Sequence, residues 1–125
     1  MVWYPTPDDI ILLDKLTLQE SRDKHPFKLL GTAEGLQSMI DRIKSIEGMG
    51  LSFQAARFMK EVLLLHAFDG GNHRTAYMTA YTFLKMNDMK VRAVERKFSE
   101  PFVKSLPEKS YEQIQTWILE NMIVT

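Results

Sequence analysis

The stretch from Ser52 to Phe68 limits what this chain can fold into more than any other, because Ala55, Phe58, Met59, Val62, Leu63 and Leu65 leave it apolar on nearly every side. A helix of that kind belongs at the centre of a domain, covered from several directions. It leads into His66-Ala67-Phe68-Asp69-Gly70-Gly71-Asn72-His73-Arg74-Thr75-Ala76, after which helical spacing resumes with Ala76, Ala80, Phe83 and Leu84 as far as Asn87. Small residues at positions 76 and 80 let this second helix approach another closely. The core is therefore expected to rest on two helices joined at a corner that carries an imidazole, two glycines, an amide and a guanidinium.

That corner has the chemistry of an anion site. Consecutive glycines free the backbone to adopt positive φ, and one glycine would suffice for a plain turn between helices. The first N–H groups of the following helix lack intrahelical acceptors and carry the positive end of its dipole. Arg74 can fork two donors onto a phosphate, and His66 stands across the turn as a proton acceptor.

The flanking segments read as further helices. Thr6-Pro7-Asp8-Asp9 is a helix start, with Thr6 as cap and the acids against the dipole, and the helix is expected to run through Ile10, Ile11, Leu13 and Leu16 to about Ser21. From Arg22 to Gly31 the period is lost, so an exposed loop or short hairpin is expected there. Thr32 caps a second helix with Leu36, Met39, Ile40, Ile43 and Ile46 at helical spacing, closed by Gly48-Met49-Gly50. Met89 to Val94 reads as an extended linker, Val94 to Leu106 as a helix broken near Pro101, and Pro107 as the start of a last helix with Tyr111, Ile114, Trp117, Ile118 and Met122 facing inward. No period-two run suggests a strand. The expected fold is an all-α bundle of about six helices, and 125 residues make one domain spanning 1–125.

Composition narrows the function classes. Sixteen basic and sixteen acidic residues cancel and are interspersed, which argues against a nucleic-acid partner. The lack of cysteine excludes a disulfide scaffold or thiolate zinc site and suits a reducing cytoplasm, and no signal peptide or membrane span is readable.

With these residues in place, the chain resembles the Fic/Doc family, and within it the short Doc-type (death on curing) branch. The family motif HxFx(D/E)GN(G/K)RxxR is matched in register by His66, Phe68, Gly71, Asn72 and Arg74; the following Thr-Ala of Doc-like members is Thr75-Ala76, and a later FLxxN pattern is Phe83-Leu84-Lys85-Met86-Asn87. Weaker likeness extends upstream through Leu29-Leu30-Gly31, Leu36, Ile40 and Ala55-Ala56. The resemblance implies a small helical protein that takes ATP or another nucleoside triphosphate and modifies a hydroxyl of a target protein. Doc-type members transfer the terminal phosphate, and Fic-type members move AMP. It implies His66 as the general base, phosphate or nucleotide contacts from Phe68, Gly70, Gly71, Asn72, His73 and Arg74, a bound Mg²⁺, a flap around Lys24 to Leu30 that aligns the target, and a toxin with a separate antitoxin as one setting.

Three positions depart from the pattern. The motif acid that holds the magnesium is Gly70 here, and Asp69 stands one residue early without a shift that would bring it into register. Since Mg²⁺ is normally held by one or two carboxylates plus phosphate oxygens, its binding should weaken. His73 replaces Gly or Lys, and Tyr77 replaces the final arginine, which favours Doc-like chemistry. Thr116-Trp117-Ile118-Leu119-Glu120-Asn121 fits the family's inhibitory pattern (S/T)xxxE(G/N), yet the arginine that such a glutamate pairs with is missing and packing alone explains the segment. For His25 and His73, taken singly, a structural role is the simpler reading. The alternative to a transferase is a nucleotide- or phosphate-binding module that has lost turnover together with the metal ligand.

Overall fold

Three hydroxyl caps set the frame. Thr6, Thr32 and Ser110 sit in extended conformation and accept hydrogen bonds from the backbone N–H three residues on, at 3.2, 2.9 and 3.1 Å. They open α1 (Pro7–Glu20), α2 (Ala33–Lys44) and α6 (Tyr111–Asn121). In α1 and α6 the third helical residue, Asp9 or Gln113, accepts the cap's own N–H in return, so that two otherwise unpaired donors are satisfied at each start. Caps of this kind contribute about 1 kcal/mol each. The remaining helices are α3 (Leu51–Leu65), α4 (Asn72–Met86) and α5 (Arg96–Lys104), with 3-10 turns at Glu47–Met49 and Leu106–Glu108. The computed structural model describes residues 1–21 and 25–125, and among these the fold is all-α, with two isolated bridges and no strand.

The α3–α4 pair is the centre. Ala55 and Ala56 on one helix and Ala76 and Ala80 on the other are fully buried, and the Phe58 and Phe83 rings meet at 5.0 Å. α2 and α6 cover α3, while α1 and α5 cover α4. One cluster of buried side chains draws on all six helices through Ile10, Leu36, Phe58, Phe83, Val103 and Ile114. The chain ends are tied in as well: Asn87 exchanges hydrogen bonds with the main chain of Trp3 at 2.7 and 3.0 Å, and Val91 bridges Ile123 across an extended 89–94 segment. Among the described residues no helix is long and apolar enough to cross a membrane.

Three expectations are corrected. α3 stops at Leu65 instead of Phe68, because His66 turns left-handed and the chain leaves the helix. α5 runs through Pro101 unbroken; Lys97, whose carbonyl loses its partner at a proline four residues on, is exposed, so water can take that acceptor. Pro107 lies inside a 3-10 turn that begins at Leu106, and α6 waits for the Ser110 cap. The buried face of α1 is Ile10, Asp14, Thr17 and Leu18, while Leu16 stays exposed. This face bears on the site.

Candidate functional site

The corner between α3 and α4 is built in two halves. In the first, His66 caps α3 at φ 48°, ψ 48°, and its N–H donates to the Leu63 carbonyl at 3.2 Å. A side chain in that region costs about 1–2 kcal/mol. Ala67 and Phe68 then run extended against the segment before α2: Leu30 and Gly31 both donate to the Ala67 carbonyl at 2.7 and 3.0 Å, Asp69 donates to Lys28 at 3.0 Å, and Leu29 and Phe68 form an antiparallel bridge. The loop expected around 22–31 is therefore paired, over its described residues, with the corner itself. Lys24, the first residue of the expected flap, lies outside the described residues.

Asn72 fastens this half to the next. Its Oδ1 accepts from the Phe68 N–H at 3.3 Å and its Nδ2 donates to the Phe68 carbonyl at 2.7 Å, with the residue buried. The side chain thus acts as a third strand for Phe68, whose ring is fully buried beside Phe27. Asn72 and Phe68, both expected at the phosphates, have their side chains engaged inside the protein in this structure.

In the second half, only one of the two glycines needs positive φ. Gly71 has φ 78° and begins α4 without a side-chain cap, and a Cβ there would stand 2.8 Å from Asp14 Oδ1. At Gly70 a Cβ would stand 3.3 Å from Nδ1 of His25, so that glycine makes room for an imidazole. His25 Nε2 lies 3.6 Å from Asp69 Oδ2, an ion pair when the ring is protonated, and its Nδ1 is 3.0 Å from the Pro26 carbonyl.

Beneath Gly71 lies a carboxyl group with unusual surroundings. Asp14 is fully buried; Thr75 Oγ1 donates to its Oδ1 at 2.8 Å, and Oδ2 has no partner among the described residues. Burial raises its pKa above the usual carboxylate value, against the opposing effects of the Thr75 hydrogen bond and the nearby His25.

Two cavities open at the start of α4. A cleft of about 270 Å³ is lined by Thr17, Leu18, Ser21, His25, Gly70, Gly71 and Arg96. A smaller one of about 70 Å³ is lined by His73, Arg74, Tyr77, Arg96, Ser99, Glu100 and Val103. The guanidinium of Arg74 lies 4.8 Å over the Tyr77 ring, and Tyr77 in turn accepts the Val94 N–H at 2.8 Å. Of the residues singled out in the sequence, Gly70 and Gly71 share one cavity and His73 and Arg74 the other. His66 is exposed and lines neither.

Among the described residues no group of three His, Cys, Asp or Glu side chains could hold a metal; Asp69 faces His25, Asp14 is closed off from solvent, and Glu100 is the carboxylate that lines the cavity at Arg74. Glu120 lines a separate groove with Lys109 and Trp117 and neither cavity of the corner.

Sequence reasoning missed Asp14, His25 and Arg96 as parts of this corner. Asp14, Thr17, Leu18 and Ser21 share one face at helical spacing, a stripe that a search for apolar residues alone passes over. Arg96 comes from another helix and had no signal in the chain order. Compared with known proteins, the chain matches no family model and no curated protein.

Proposed function

We propose that the chain binds the phosphates of a nucleoside triphosphate at the α3–α4 corner and transfers the terminal phosphate to a hydroxyl of a target protein. The observation that most supports this reading is the bare start of α4: Gly71 offers no capping side chain, and Arg74 lines a cavity beside it. Helix N–H groups and a guanidinium provide the positioning and charge neutralisation on which phosphoryl transfer chiefly depends. The target oxygen bonds to the terminal phosphorus as the bond from that phosphorus to its bridging oxygen breaks. His66, exposed and without a side-chain partner among the described residues, takes the hydroxyl proton, and the nucleoside diphosphate departs. A role as toxin with a separate antitoxin is one setting for such an activity.

The lack of a carboxylate at Gly70 favours a second reading, a module that binds nucleotide without turnover. Incubating the purified chain with γ-labelled or α-labelled ATP and cell lysate separates the possibilities. Label on a target from the γ position alone, lost in His66→Ala, is the expected result; label from the α position means AMP transfer instead. Calorimetric binding of ATP without any label leaves the binding module. Absence of binding removes both readings.

A further inference from the structure

Arg96 is the first residue of α5, where the positive end of the helix dipole disfavours a cation, and α5 has no acidic residue in its first turn to offset it. Its neighbour Lys97 has Glu95 at 3.7 Å. Arg96 itself makes no side-chain hydrogen bond, ion pair or ring contact with any described residue. Nothing in the folding of α5 calls for a guanidinium at this position. Yet among the described residues Arg96 alone lines both cavities of the corner, the 270 Å³ cleft at Gly70 and Gly71 and the 70 Å³ cavity at Arg74.

A second observation is the charge around the two cavities. Glu100 is the single carboxylate among the described residues lining either cavity, against Arg74 and Arg96. At about 270 Å³ the cleft has room for a chain of phosphates.

We propose that Arg96 is a second anion-binding residue of the corner, supplied by α5, and that with Arg74 it selects a chain of two or more phosphates over a single one. This rests on the reading of the corner as a phosphate site. Arg96 faces the cleft as well as the cavity it shares with Arg74, so successive phosphates of a chain can occupy both spaces where a single phosphate fills one.

The test is calorimetric titration of the full chain with inorganic pyrophosphate and with inorganic phosphate, in metal-free buffer at two salt concentrations. Wild type is expected to prefer pyrophosphate by about tenfold or more, the scale of one charge-assisted hydrogen bond. Arg96→Ala should remove most of that preference and flatten the salt dependence, Arg96→Lys should restore part of it, and the melting temperature should not move because the side chain is exposed and unbonded. Pyrophosphate binding unchanged in Arg96→Ala but lost in Arg74→Ala would overturn the assignment of Arg96 and leave the corner standing. Failure of the wild type to bind pyrophosphate, phosphate or ATP would overturn both.

Discussion

Gly71→Ala tests whether the corner is held by the steric relation between α1 and α4. The left-handed backbone at φ 78° costs a side chain about 1–2 kcal/mol. The new methyl would also stand 2.8 Å from Asp14 Oδ1 and 3.3 Å from Thr17 Cγ2, and overpacking of this kind costs about 1–3 kcal/mol. The sum is about 2–5 kcal/mol. Unfolding a 125-residue chain carries an entropy of about 0.26 kcal/mol per kelvin, so the melting temperature should fall by about 8–19 °C. A double-mutant cycle separates the causes: with Asp14→Ala as background the clash with Oδ1 is gone, while the backbone cost and the approach to Thr17 remain, giving a coupling of about 1 kcal/mol or more. Thermal and urea denaturation of the four proteins measures it. A loss below about 1 kcal/mol in Gly71→Ala, or additivity within about 0.5 kcal/mol, would show that Asp14 does not support the glycine.

Other consequences follow from the same contacts. Burial raises the Asp14 pKa in the native state, so the stability due to its neutral form is complete below about pH 3.8 and is lost as pH rises through the native value. Asp14→Asn removes that dependence: urea titrations should find it level with wild type near pH 3.5 and more stable by about 1 kcal/mol or more at pH 7, and a constant difference across this range would refute the assignment. Asn72→Ala strands the buried N–H and carbonyl of Phe68, a cost of about 2–4 kcal/mol that should appear in the melting temperature even without ligand. A stable Asn72→Ala that only binds nucleotide less well would return the amide to the ligand. Phe68→Ala should cost about 3–5 kcal/mol in denaturant unfolding, because the ring is fully buried.

Much of the fold was readable because helical periodicity and hydroxyl caps are local signals. Thr6 and Thr32 announce their helices, and the apolar wrap of Ser52 to Leu65 announces the centre. The faults lie where tertiary pairing decides. His66 leaves the helix because Ala67 and Phe68 have partners in 28–31, and no residue within α3 marks that exit. Ser110 outcompetes Pro107 as the true helix start through a reciprocal cap with Gln113. At the corner, sequence order gave His66, Gly71 and Arg74 their place in the turn. It could not show that Asn72 turns inward to Phe68, that Gly70 makes room for His25, or that Arg96 arrives from another helix.

The left-handed conformation of His66 has a use for anyone who wishes to separate chemistry from folding. Glycine at that position would shed the penalty of about 1–2 kcal/mol that the imidazole's own backbone carries, against about 0.4–1 kcal/mol for the looser unfolded chain. His66→Gly is accordingly the variant that tests the proposed role of His66: it removes the imidazole and is expected to leave a molecule that melts no lower than the original.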